Sequence, residues 1–117
     1  MKIHTETTIS AAHHLPGYNG LCKNVHGHSF KIEVEIIGLI NKEIGMLVDF
    51  KEVKDIINKF DHTDLNDYFE NPTAENIAHH LANAISLRYP ETTVSVKVWE
   101  SATSWASESV SQSKLNY

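Results

Sequence analysis

The stretch His26-Gly27-His28-Ser29-Phe30-Lys31-Ile32-Glu33-Val34-Glu35-Ile36 alternates residue by residue from position 30 onward, and that alternation decides how the chain is built. Phe30, Ile32, Val34 and Ile36 share one parity and Lys31, Glu33 and Glu35 the other, as in a strand with one face on a core and one in water. His26 and His28 fall on the apolar parity. Two imidazoles at i and i+2 of an extended backbone project from one face, roughly 6 to 7 Å apart, close enough to hold one metal ion. Cys22 precedes them in Cys22-Lys23-Asn24-Val25, so a thiol belongs to the same short passage.

Working upstream, Ile3, Ile9 and Ala11 share odd parity with His13, whereas His14 takes the opposite face unless a bulge intervenes. His13 is therefore the expected third ligand. Three histidines leave a fourth tetrahedral position open, as in catalytic zinc sites, while Cys22 in that position would close the site and make it structural. Spacing alone leaves both arrangements standing.

Working downstream, the order of elements reads strand, strand, helix, helix, strand, strand. Two long strands are expected near Lys2 to His14 and Ser29 to Leu39, joined by a loop through Pro16-Gly17-Tyr18-Asn19-Gly20. Asp49 is the expected cap of a helix whose Phe50, Val53, Ile56, Ile57 and Phe60 recur at helical spacing. Thr73 caps a second helix with Ile77, Ala78, Leu81, Ala82 and Ile85 as its buried stripe, ended by Pro90. Val94, Val96 and Val98 mark a third strand, and Trp105 to Ser113 a weaker fourth.

Two polar features stand out against that frame. Glu100 continues the parity of the three valines, so it is either a solvated strand-end carboxylate or one aimed into an apolar pocket, where ionisation needs a partner. In Phe60-Asp61-His62-Thr63-Asp64-Leu65-Asn66-Asp67, an Asp beside a His can orient the imidazole for general acid or base work, or both can be solvated. His4, His79 and His80 carry no assigned chemistry.

Composition sets the outer bounds. The 117 residues predict one domain, residues 1–117, with 41% hydrophobic content suited to a modest core. A formal charge of -5 argues against a general nucleic-acid or anionic-membrane surface. One cysteine rules out an internal disulfide, and Met1-Lys2-Ile3-His4-Thr5-Glu6 has no apolar signal core, so a reducing cytoplasm is the expected compartment.

Several short pieces, in their order and spacing, resemble the 6-pyruvoyltetrahydropterin synthase and 6-carboxytetrahydropterin synthase family over nearly the whole chain. They are Ala11-Ala12-His13-His14-Leu15-Pro16-Gly17, the segment from Cys22 to His28, Val48-Asp49-Phe50, Asp61-His62 with Leu65-Asn66, Asn71-Pro72-Thr73-Ala74-Glu75-Asn76, and Trp99-Glu100-Ser101 with Thr103-Ser104-Trp105-Ala106. The resemblance implies an α+β tunnelling fold (T-fold), a four-stranded antiparallel sheet with two helices inserted between strands 2 and 3 (ββααββ). It implies zinc held by His13, His26 and His28, with Cys22 left off the metal as the base that moves a substrate proton. Asp61 and His62 complete the proton-transfer group, and Glu100 anchors the pterin ring. A homotrimer or homohexamer with active sites between subunits is implied as well. Ile9 stands where the family often has an aromatic residue and His14 where it often has Arg, which makes His14 a competitor of His13 for the metal.

Within the family, members serving folate synthesis place a glutamate in the cysteine loop, and Lys23, Asn24 and Val25 contain none. The segment from Trp99 to Ala106 is similar to the bacterial 6-carboxytetrahydropterin synthases of 7-deazaguanine and queuosine synthesis. These convert 7,8-dihydroneopterin triphosphate to 6-carboxy-5,6,7,8-tetrahydropterin, acetaldehyde and triphosphate. The pyruvoyl-forming enzyme is the runner-up, and a non-catalytic zinc-stabilised binding module with Cys22 in the metal shell is the alternative of a different class. Lys23 and Lys51 are candidates for phosphate contacts.

Overall fold

The computed structural model describes residues 1–15 and 26–111, with only the backbone of His26. Five strands and two helices follow in the order β1 (Lys2–His13), β2 (His26–Ile37), α1 (Phe50–Asn58), β3 (Thr63–Asp64), α2 (Ala74–Arg88), β4 (Thr93–Trp99) and β5 (Trp105–Ser111). The sheet order is β3-β1-β2-β4-β5, antiparallel throughout except for the two-residue β3, which runs parallel to β1 at Ala11 and Ala12. The expected four strands are all present. β3 is the addition, too short to carry a periodic signal, and it lies between the two helices in sequence.

Alternation builds the two faces. Ile9, Ala11 and His13 of β1, Phe30, Ile32, Val34 and Ile36 of β2, and Val94, Val96 and Val98 of β4 are buried on one side. Val53 and Ile57 of α1 and Ile77, Ala78, Leu81, Ala82 and Ile85 of α2 join them in one core. Each fully buried Val, Leu, Ile or Phe among them contributes about 1.5–3 kcal/mol by leaving water. The opposite face of the sheet has no helix among the described residues and carries Lys31, Glu33, Glu35, Ser95, Lys97 and Ser109.

Local signals act as their chemistry dictates. The Asp49 carboxylate accepts from the Lys51 N–H at 2.9 Å, and the Thr73 hydroxyl from the Asn76 N–H at 3.1 Å, satisfying N–H groups that the first helical turns leave open. α1 is shorter than its apolar pattern: Phe50 is half exposed, and Phe60 is buried from beyond the helix end. Core packing, rather than helical continuation, places Phe60. It meets the edges of Tyr68 and His80 there.

Candidate active site

The β1–β2 register assembles the centre of the site. His13 lies directly opposite His26, and Ala11 opposite His28, so the three histidine positions share one end of one strand pair. Directly paired residues stand roughly 4.5–5.5 Å apart. His13 is fully buried, and its Nδ1 is 2.9 Å from the Pro72 carbonyl just ahead of α2. That contact makes Nδ1 the N–H donor and leaves Nε2 with the lone pair, the arrangement by which a carbonyl orients a metal-binding imidazole.

The rings of His13 and His28 are stacked, with centroids 5.5 Å apart and planes at 17°. Phe30 meets both edge-on, at 5.2 and 4.6 Å between centroids. Nε2 of each histidine is buried. The spacing of the ring centres matches that of two ligands on one tetrahedral ion. With a metal–nitrogen bond of about 2.0–2.1 Å, two ligating imidazoles at a tetrahedral angle have centres roughly 5.2 Å apart, close to the observed spacing.

His14 is turned elsewhere. Its backbone N–H donates to the Asn66 side-chain Oδ1 at 2.9 Å, while the Asn66 Nδ2 donates to the His14 backbone carbonyl at 3.1 Å. This pair of hydrogen bonds ties the His14 backbone to the segment after β3, and its Nε2 lies 3.5 Å from the same Asn66 amide nitrogen. Cys22 lies outside the described residues, as do the side chain of His26 and the loop lysine Lys23.

Asp61 and His62 are pinned to the edge of β1 by one residue. Ser10 donates its N–H to the Asp61 carboxylate at 2.8 Å and accepts the His62 N–H at 2.6 Å. Meeting both bonds puts His62 at φ +57°, a left-handed conformation that few non-glycine residues adopt. Its Nε2 stands 3.5 Å from the other Asp61 oxygen, with the imidazole 82% exposed and the carboxylate 32%. A cleft of about 570 Å³ holds His28, His62, Ser10 and Ser29 together on its walls.

Glu100 falls in another cleft, of about 300 Å³, beside Glu75, Ser104 and the first residue of α2, Ala74. It is half-buried, and its N–H donates to the Ser104 carbonyl at 3.0 Å, closing the β4–β5 turn. One chain thus brings His28 and His62 to one cleft and sets Glu100 apart. Lys51 pairs with Asp55 at 2.9 Å on α1, a contact within its own helix.

Sequence reasoning passed over Ser10, Pro72 and Asn66, which act through backbone groups and simple amides rather than through any motif of their own. The Pro-Thr cap of α2 was the available signal for Pro72. The unassigned histidines have structural partners: His79 pairs with Glu108 at 3.0 Å, which holds that carboxyl below its ordinary range, and burial lowers His80. His4, Glu6 and Glu33 bring three donor atoms within 4.8 Å on the open face. His4 bonds Glu6 and thereby lowers its pKa, Lys31 adds to the same effect from 3.8 Å, and Trp99 Nε1–H donates to Glu33.

The sequence pattern of the 6-pyruvoyl tetrahydropterin synthase family matches residues 2–110. This chain belongs to that family. It is 53% identical over 81 residues to an Archaeoglobus fulgidus protein provisionally named 6-carboxy-5,6,7,8-tetrahydropterin synthase, covering 66% of this chain and 69% of the relative. A Haemophilus influenzae 6-carboxy-5,6,7,8-tetrahydropterin synthase is 31% identical over 134 aligned positions, covering 89% and 95%. In fold, the Caenorhabditis elegans 6-pyruvoyl tetrahydropterin synthase superposes with a TM-score of 0.75 over 95% of this chain and 96% of that one, at 21% identity. The expected tunnelling fold is the observed one, with β3 added. No helix among the described residues is long and apolar enough to cross a membrane.

Proposed function

We propose that the chain is a zinc-dependent 6-carboxy-5,6,7,8-tetrahydropterin synthase of 7-deazaguanine and queuosine synthesis. With one water, it takes 7,8-dihydroneopterin triphosphate to 6-carboxytetrahydropterin, acetaldehyde and triphosphate. The observation that carries this reading is the buried His13–His28 stack, with His13 oriented by Pro72 and with His28 and His62 on the walls of one cleft. The names of its relatives supply the substrate class.

In this reading His13, His26 and His28 hold the metal. Zinc, when bound, supplies Lewis acidity beside the substrate side chain and favours thiolate over thiol nearby. Cys22 takes a carbon-bound proton from the substrate, and His62, with Asp61 beside it, gives or accepts the next one from the cleft wall. Glu100 accepts hydrogen bonds from the N–H edge of the pterin, a charge-assisted contact that offsets the cost of a half-buried carboxylate.

A homotrimer or homohexamer with sites between subunits is part of the proposal. Two features support it. Glu100 lies in a cleft separate from His62 within one chain. Beyond the short β3, the edge of β1 from Lys2 to Ser10 carries no strand among the described residues, and β5 forms the opposite end of the sheet. Closing such edges against copies of the same chain removes unpaired backbone and can bring Glu100 of one subunit to His62 of another. A reducing cytoplasm suits the thiol.

Anaerobic incubation of zinc-loaded protein with 7,8-dihydroneopterin triphosphate, read by mass spectrometry and an acetaldehyde assay, tests the reaction. Stoichiometric acetaldehyde with 6-carboxytetrahydropterin is expected. A pyruvoyl product without acetaldehyde reassigns the chain to the pyruvoyl-forming branch, and unconsumed substrate with a Cys22 protected from alkylation favours the closed-site binding module.

A further inference from the structure

We infer that the row Thr8, Lys31 and Trp99 on the helix-free face of the sheet, with Ser29 and Ser101, is a subsite for the phosphate chain of the substrate. Register places these groups together: Thr8 pairs with Lys31 across β1–β2, and Lys31 with Trp99 across β2–β4. They line a cleft of about 430 Å³. Ser29 belongs to both this cleft and the one holding His28 and His62, so the two adjoin. A side chain reacting in the cleft that holds His28 and His62 therefore has a polar neighbour for its anionic end.

Charge separates this cleft from its neighbours. The Glu100 cleft has two carboxylates on its walls, Glu75 and Glu100, and the cleft around Lys97 has Glu33 and Glu35. A polyphosphate is repelled from both. The Lys31 cleft is lined by an ammonium, three hydroxyls and an indole, with no carboxylate. Lys97, which lines the neighbouring cleft, has its Nζ 5.8 Å from the Trp99 ring centre and 4.2 Å from that of Trp105, against 5.9 Å from Lys31 to Trp99. Lys31 also meets Glu6 at 3.8 Å, with both side chains about half exposed (47% and 48%). A solvated pair of that kind is weak and yields to a ligand carrying several negative charges. Hydroxyls and a lysine suit phosphate oxygens because each donates toward them and the lysine adds a point charge.

The assignment rests on the pterin triphosphate reading, and its test is built to separate the two. Calorimetry of zinc-loaded protein with inorganic tripolyphosphate at about 0.15 M salt, where long-range screening is fixed, compares wild type with Lys31→Gln, Lys31→Arg and the distant Lys42→Gln. Any affinity of the anion for zinc is common to all four, so their differences read the lysines. Lys31→Gln is expected to weaken binding by about 10-fold, one charge-assisted contact, with Lys31→Arg and Lys42→Gln within about 3-fold of wild type on the same scale. In turnover, Lys31→Gln raises KM for the triphosphate substrate more than it lowers kcat. Equal tripolyphosphate affinity in Lys31→Gln and wild type, or no binding by either, overturns the subsite even if the enzyme makes its product. Lysine-dependent binding without turnover of the pterin keeps the anion subsite and removes the reaction instead.

Discussion

The two faces of the sheet obey different rules although they are made by the same strands. On the covered face, Ile9, Phe30, Ile32, Val34 and Val96 are fully buried, and His13 is as buried as they are. On the open face, Lys2, His4, Glu6, Lys31, Glu33 and Glu35 form a lattice of contacts at 3.0–4.0 Å, most of them between half-exposed side chains. Packing fixes the first face and leaves its histidines few positions to occupy, whereas the second tolerates exchange of partners. A metal centre needs the former, and a site that admits and releases a polyanion suits the latter.

Neighbouring residues on opposite faces give the sharpest way to break this comparison. Phe30→Ala removes the ring that supports His13 and His28 and is expected to cost about 3–5 kcal/mol, whereas Lys31→Gln should stay within about 0.5 kcal/mol. Urea denaturation reads both. Comparable losses would mean that the open face is as tightly packed as the covered one.

His13→Ala is expected to lose bound zinc and with it turnover, while His14→Ala keeps about one zinc per chain, as mass spectrometry of the metal would show. The reverse pattern would place the ligand on the Asn66 side. Cys22→Ala is expected to keep zinc and oligomer and lose roughly 100-fold in turnover, the scale of a positioned base. Asp61→Asn and His62→Ala should likewise act on turnover first, and an unchanged rate in both would remove the cleft shared by His28 and His62 from the chemistry. The smallest expected effect is at Glu100, where exchange for Gln replaces an acceptor oxygen by a donor. Pterin affinity should fall by about 10-fold in calorimetry, and unaltered binding would assign the ring elsewhere.

What the sequence made legible follows from the same division. Period-two alternation located β1, β2 and β4 and placed His13 on the buried face, because burial on one side of a strand fixes parity for every residue along it. Caps at Asp49 and Thr73 were readable because each is a local contact between neighbours in sequence. The bond from Asp61 to Ser10 spans 51 positions and involves a backbone N–H, so nothing in either segment announces it. β3, the Asn66 clasp on His14 and the Pro72 carbonyl behind His13 are hidden for the same reason. Roles, as distinct from positions, came from motif resemblance, since a buried histidine has the same periodicity whether or not it binds metal.

His62 carries a consequence for how this protein can be improved. A non-glycine residue in a left-handed conformation costs on the order of 1 kcal/mol, and glycine at position 62 would be spared that cost while surrendering the imidazole. Selection or engineering for thermal robustness alone would therefore push this position toward glycine and away from an imidazole. On the role proposed for His62, heat survival and turnover would pull on this one codon in opposite directions in a directed-evolution campaign.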